Sequence, residues 1–493
     1  MKSGYKLAEN LSSWHKSGIP SAGPNNHSTG AQGVAASIEQ SDYPVISGGA
    51  AAVPAPSMHW LDRVARKLVL ARLESIEIGT LYVHELFVGG DGAEDRLPAN
   101  DPPVLRFGKT EGASTSSVAS GEGAADSEAD CEIVAHIHVR HPNTYTQVLT
   151  SGTIGSGEAY MDGFWTSPDL VQVIRLMVAN MSLLDSLDSR WSLAHKLALK
   201  VLHRFNANSL KGSRRNISAH YDLGNDFFSL FLDPTMLYSS AVFPNGDACL
   251  AEASEFKLAK ICRKLRLKSS DHLLEIGTGW GGMAVYAAKH FGCRVTTTTI
   301  SREQYEYAKA WVEREGLSDR VTLLLKDYRE LEGQYDKLVS IEMVEAVGHQ
   351  YYHTFFSRCS QLLKPDGLMV MQAITIQDQR FESYKNSVDF IQRYIFPGGC
   401  LPSNQVVATH IARDTDMQIV GMDDITFDYA RTLRSWREAF FERIEEVRSQ
   451  GFDQRFINMW DFYLCYCEGG FLERVISTAQ FTFAKPRCRT LPR

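Results

Sequence analysis

Residues 273–282 read LLEIGTGWGG: an apolar run containing an acid, Glu275, then a glycine-rich turn, then a helical pattern beginning near Met283. Gly277, Gly279 and Gly281 permit a sharp turn and a close approach of the backbone to a ligand at the first crossover, with Trp280 set among them. A helix opening there presents its positive end to the same point. Alone, the motif also fits other nucleotide sites and simple tight turns.

Outward from this turn, strands alternate with helical patterns. HLLEIG (272–277), CRVTTTTI (293–300), VTLLLKD (321–327), KLVSIEMV (337–344) and GLMVMQAITI (367–376) are β-branched or apolar runs, and REQYEYAKAWVEREG (302–316) has helical spacing. Such alternation predicts crossover units and a mostly parallel sheet covered on both faces, a doubly wound, Rossmann-like α/β domain over 216–493. Upstream, a smaller α+β domain is expected over 58–190. It opens with a helix setting Trp60, Leu61, Val64 and Leu68 against Arg63, Arg66 and Lys67, followed by strands TLYVHELFV (80–88) and CEIVAHIHV (131–139). Residues 1–57, rich in Ser, Gly, Asn, Ala and Pro, are expected to be a disordered leader, and 112–130 an acidic low-complexity insertion. Residues 191–215 are expected to form a basic linker helix.

Composition narrows the function. The chain has 493 residues with 51 basic and 58 acidic side chains, a net charge of −7. Nine acids against three bases between 90 and 131 hold most of that excess, and no broad basic surface for nucleic acid is visible. No apolar stretch approaches the ~18 residues needed to span a bilayer. Nine scattered cysteines without a C-x-x-C pair point to reduced thiols rather than a zinc site or disulfide framework, so no metal site is expected. The first residues lack the pattern of a secretory signal, and a cytoplasmic location is expected. The cofactor reading rests on two more features. KDY (326–328) closes the third strand and LLKPDG (362–367) precedes the fifth, as in methyltransferases of the S-adenosylmethionine type. A nicotinamide site would place an acid at the end of the second strand, which here ends TTTTIS (296–301).

Longer blocks carry a family likeness. HYDLGNDFFSLFLDPTMLYSSAVF (220–243), VTTTTISREQ (295–304), EMVEAVGHQYY (342–352), YIFPGGCLPS (394–403) and DYARTLRSW (428–436) occur in order, with SGEAYMDGFW (156–165) upstream. Together they resemble the cyclopropane-fatty-acyl-phospholipid synthases, mycolic acid cyclopropane synthases included, over roughly residues 60–485. WDFYLCYCEGGF (460–471) resembles the branch whose C-terminus ends in a further strand. The resemblance implies transfer of a methylene group from S-adenosylmethionine to the cis double bond of an unsaturated phospholipid acyl chain. The cofactor would meet Tyr238 and Ser239 at its methionine end, Thr299, Ile300 and Gln304 near the ribose, and Asp327 and Tyr328 at the adenine. The base would be a bicarbonate ion held by Ser240, Glu345, Gln372 and Tyr429. Ser240 and Gln372 depart from the cysteine and histidine of the family pattern, and Gln372 cannot take up a proton as a histidine can. Glu342, three residues before Glu345, is the competing acid.

For the lipid, residues 189–221 carry seven Lys and Arg residues and no acid, with Trp191, Leu193, Leu197 and Val201 at helical spacing. Such a segment suits peripheral contact with an anionic membrane, or equally a linking helix with a solvated basic face. Tyr384–Phe396 is expected to wall the acyl tunnel. A methyl- or methylene-branching transferase on the same lipids and a non-catalytic lipid-binding relative are the alternatives, and a homodimer is left open.

Overall fold

Four strands, β1 (Thr80–Glu85), β2 (Val104–Phe107), β3 (Val134–Val139) and β4 (Trp165–Thr166), form a small sheet in the order β2-β1-β3-β4. β1 and β3 run parallel, and β2 and β4 close the edges antiparallel. Seven more form the large sheet: β5 (His272–Ile276), β6 (Arg294–Thr299), β7 (Val321–Leu325), β8 (Tyr335–Ile341), β9 (Leu363–Ile376), β10 (Gln418–Asp424) and β11 (Ile476–Ala484). Their order is β10-β11-β9-β8-β5-β6-β7. The computed structural model describes residues 58–87, 104–108, 132–182 and 223–489, which belong to one compact unit. The leader, the 112–130 insertion and the 191–215 linker lie outside the described residues.

β5 to β9 are the five strands expected from the sequence, and they pair in parallel. Their residues alternate between two cores. Leu273 and Val339 pack with the helices Leu250–Lys264 and Gly282–Phe291, whereas Leu274 and Leu338 face the helix Tyr352–Leu362. Both faces are thus covered, which is why these strands read as near-continuous apolar runs. β11 runs antiparallel to β9 over nine residue pairs, and β10 antiparallel to β11. β5 has β6 on one side and β8 on the other, so the winding reverses there, and ligands collect outside the carboxyl ends of strands at such a point.

The helix Trp60–Leu73 forms as expected but is rotated from the expected orientation. Ala65, Val69 and Leu73 are its buried stripe, and Trp60, Leu61, Val64 and Leu68 are 39 to 63 % exposed. Side-chain bonds favour this rotation: Arg66 donates twice to the buried Glu85 at 2.7 Å, and Thr146 donates to Asp62 at 2.5 Å. A third core joins the small sheet to the C-terminal helices Thr426–Glu442 and Gln454–Leu472, with Leu81, Tyr160, Leu176, Phe227, Trp436 and Trp460 buried together. Among the described residues no helix is long and apolar enough to cross a membrane.

Candidate active site

The turn after β5 requires its glycines. Gly277, Gly279 and Gly281 have φ of +102°, +53° and +101°. A Cβ on Gly281 would lie 3.0 Å from the Ala308 Cβ, and one on Gly282 only 2.6 Å from the Thr235 carbonyl oxygen. The Gly277 and Thr278 amides donate to the Thr298 carbonyl at 3.1 and 3.0 Å, tying the turn to the end of β6. There the Thr299 hydroxyl donates to Gln304 Oε1 at 2.9 Å, and Ser301 caps the helix Arg302–Arg314 that carries Gln304. Beyond β7, both Asp327 oxygens accept from the Arg329 guanidinium at 2.7 Å, which spans the Tyr328 ring at 5.4 Å. Asp327, expected at the adenine, is therefore fixed by a two-point ion pair, and its Oδ1 also accepts from the Arg329 amide at 3.0 Å, so only Oδ2 keeps a lone pair to spare. Glu275 is buried with one oxygen unpartnered, and burial pushes its carboxyl up to about 8. A glycine cradle that a Cβ would fill and an unpartnered buried oxygen fit an adenosyl cofactor.

One continuous cavity of about 790 Å³ joins this turn to the predicted catalytic residues. All the residues singled out from the sequence line it except Gly281, Ser240 and Gln372. Ile154, Val178 and Met181 from the N-terminal part and Val388, Ile391 and Phe396 from the segment expected to wall a tunnel also line it, beside polar residues such as Ser383, Asn386 and Gln392.

Glu342, which lines the same cavity, is the first residue after β8, with φ +47°. A left-handed conformation costs a residue other than glycine roughly 1–2 kcal/mol. Its Oε1 accepts from the Ser240 amide at 2.9 Å and from Gln372 Nε2 at 2.7 Å, and its Oε2 accepts from the Tyr429 hydroxyl at 2.8 Å. Burial raises its pKa, while the buried Lys257 and these three donors pull it back toward the ionised form. Lys257 donates to Ser239 Oγ at 2.7 Å, and burial lowers its own pKa to about 8. The Ser240 hydroxyl instead donates to the Ala241 carbonyl at 2.9 Å, so the backbone of residue 240, not its side chain, reaches the carboxylate. Glu345 is held differently. One oxygen accepts from the Ile374 amide at 2.5 Å and the other has no partner. Burial, and then the charge of Glu342, push its carboxyl up to about 8, so it holds a proton at neutral pH. Around the pair stand aromatic rings: Tyr429 stacks on Phe471 at 4.5 Å and meets Trp436 edge-on at 6.2 Å, and the Tyr238 and Tyr463 hydroxyls are 2.8 Å apart.

This arrangement does not fit the bicarbonate ion that the family resemblance implies. Tyr429 spends its donor on Glu342, Gln372 divides its two between Glu342 and the Ser240 carbonyl, and Ser240 offers only the amide that Glu342 already takes. A second anion about 4 Å from that carboxylate would be opposed by about 4 kcal/mol at the effective dielectric of such sites. Sequence reading reached Glu342 only as a competitor of Glu345. It missed Lys257, which sits unmarked in an amphipathic helix and whose buried position carries no local signal.

The fold and site can be set beside known proteins. The family model for mycolic acid cyclopropane synthetase matches residues 208–481. The chain is 38 % identical over 353 residues to the cyclopropane-fatty-acyl-phospholipid synthase of Escherichia coli, covering 71 % of this chain and 88 % of that one. It is 37 % identical over 341 residues to the tuberculostearic acid methyltransferase UfaA1 of Mycobacterium tuberculosis, covering 68 % and 79 %. Among solved structures, it resembles the cyclopropane synthase MmaA2 of the same organism, with a TM-score of 0.51, 31 % identity and coverage of 55 % and 98 %. The mycolic acid cyclopropane synthase CmaA1, solved with S-adenosylhomocysteine (SAH) and CTAB, gives a TM-score of 0.51 at 30 % identity, with coverage of 55 % and 98 %. With the glycine cradle, the sheet order and these likenesses in agreement, the chain belongs to the mycolic acid cyclopropane synthetase family of S-adenosylmethionine-dependent lipid methyltransferases.

Proposed function

We propose that the enzyme adds one carbon to the cis double bond of an unsaturated phospholipid acyl chain and closes a cyclopropane ring. The observation that carries this reading is one cavity lined at once by the glycine turn, by Glu342, Glu345 and Tyr429, and by apolar residues such as Ile154, Val178, Val388 and Ile391. When bound, S-adenosylmethionine supplies an electrophilic methyl group on a sulfonium sulfur. The glycine turn with Trp280, together with Tyr238, Ser239 and Glu275, would hold its methionine end, Thr299, Ile300 and Gln304 the ribose, and Asp327 and Tyr328 the adenine. Tyr238, Tyr429 and Phe471 present π faces where positive charge develops on an alkene carbon, and the apolar walls keep water from capturing it. Ser240 and Gln372 act through Glu342, which they position, and Glu345 keeps a proton on its unpartnered oxygen.

The test is product analysis with vesicles of dioleoyl phosphatidylglycerol and S-adenosylmethionine. A phospholipid heavier by one CH2, with upfield ring protons and no vinylic signal, is the expected product, and an unchanged lipid overturns the reading. A second reading, an exocyclic methylene branch, is favoured by the likeness to a tuberculostearic acid methyltransferase and by Ser240 and Gln372. It predicts the same mass with vinylic protons retained.

A further inference from the structure

We propose that Glu342 is the general base of this enzyme, an internal carboxylate standing where relatives of its kind are expected to borrow a bicarbonate ion. The inference rests on the proposed methylene transfer to an alkene. Three observations converge on it. Glu342 lines the cavity together with Tyr238, Ile374 and Tyr429. It accepts from the Ser240 amide, Gln372 and Tyr429, which come from three separate parts of the chain, and with the second Gln372 N–H on the Ser240 carbonyl and the Ser240 hydroxyl on the Ala241 carbonyl these groups have no donor over for a free anion. The amide of Gln372 is also oriented from outside. Lys264, which can only donate, gives a bond to Gln480 Oε1 at 2.8 Å, so Gln480 Nε2 donates to Gln372 Oε1 at 2.9 Å. Gln372 is left with only N–H groups to turn toward Glu342, as an ionised carboxylate requires. This row crosses the sheet in register, Asp423 opposite Gln480 and Gln480 opposite Gln372, with Lys264 also paired to Asp423 at 2.9 Å.

The chemistry balances without another reactant. Once the π pair has bonded the incoming carbon, the other alkene carbon is a cation. The methyl C–H bond then breaks, its electron pair becomes the second ring C–C bond, and the proton passes to a Glu342 oxygen. That proton is returned to water before the next turnover. Loss of the same proton after a hydride shift would give the methylene product, so either outcome of the proposed function uses the same base.

The experiment uses the full chain in CO2-depleted buffer, dioleoyl phosphatidylglycerol vesicles and S-adenosylmethionine, with the thermal shift given by SAH as a check on folding and cofactor binding. Wild-type turnover is expected to be the same with and without added bicarbonate. Glu342→Gln is expected to lower turnover about 10²–10⁴-fold, the usual worth of a positioned base, with the thermal shift retained. Glu342→Gly suits the positive φ at this position and opens room for a small anion. Its turnover is expected to recover on adding bicarbonate or formate, a rescue that a purely structural role would not give. Wild-type turnover that rises severalfold with bicarbonate, or a Glu342→Gln protein within threefold of wild type, overturns the assignment and leaves the methylene transfer standing. Wild type that modifies no lipid fails the underlying function instead.

Discussion

At the glycine end of the cavity the groups that form the site are neighbours in sequence and mostly backbone. Residues 277–282 turn, and at the end of the next strand Thr299 bonds to Gln304. At the carboxylate end the groups are side chains from remote elements: Lys257, Glu342, Gln372 and Tyr429, with Ser240 lending its amide. The first end is built by conformation, because Gly281 takes a φ of +101° against Ala308 and Gly282 leaves no room for a Cβ beside the Thr235 carbonyl. The second is built by charge compensation in a buried space, where a carboxylate persists only if donors and a cation surround it. Two acids three residues apart show how sharp that rule is. Glu342 has three donors and Lys257 nearby, whereas Glu345 has one amide on one oxygen and keeps its proton.

Substitutions can separate the two ends. After Glu342→Gln, the largest effect is expected at the glycine turn: Gly282→Ala pushes a Cβ into the Thr235 carbonyl and displaces the loop carrying Tyr238 and Ser239. Overpacking of this kind costs about 1–3 kcal/mol, so SAH affinity measured by calorimetry should fall by roughly ten- to a hundredfold. Unchanged affinity would mean that the cradle is not shaped by this contact.

At the other end, Glu345→Gln should alter pH dependence more than rate. A carboxyl raised from 4.5 to about 8 on folding binds its proton more tightly in the folded state. Its contribution is therefore fully present below about pH 4.5 and is lost as pH rises through about 8. The wild-type melting temperature should fall more steeply between pH 4.5 and about pH 8 than that of Glu345→Gln. Parallel curves would show that Glu345 is already ionised. The smallest effect belongs to the row behind Gln372. Gln480→Leu removes the bond that orients the Gln372 amide, worth about 1 kcal/mol, so turnover should fall about fivefold with SAH affinity unchanged. A loss of affinity instead would place Gln480 in the cofactor end.

What could be read from the sequence follows the same division. The five parallel strands and the glycine turn were legible because each is local: a run of apolar residues, then residues whose conformation no other side chain can adopt. The helix Trp60–Leu73 was legible as a helix but not in its rotation, since Arg66–Glu85 and Asp62–Thr146 join residues far apart in sequence. β10, with Gln418, Asp423 and Asp424 in a strand that buries little, gives no apolar run to read. Glu342 was visible as an acid, but its role depends on donors 30, 87 and 102 residues away. A motif match found Gln372 and Tyr429 and assigned them to a bicarbonate ion. Only the assembled sheet shows whose oxygen they bind.

The torsion of residue 342 has a genetic corollary. Glutamate and glycine codons differ by one base, and the backbone here accepts glycine without penalty. If Glu342 is the base, as proposed, a single nucleotide change would exchange an internal base for room to admit one derived from dissolved carbon dioxide. Dependence on ambient CO2 would then be an easily gained or lost trait at this position, and it can be followed by sequencing one codon.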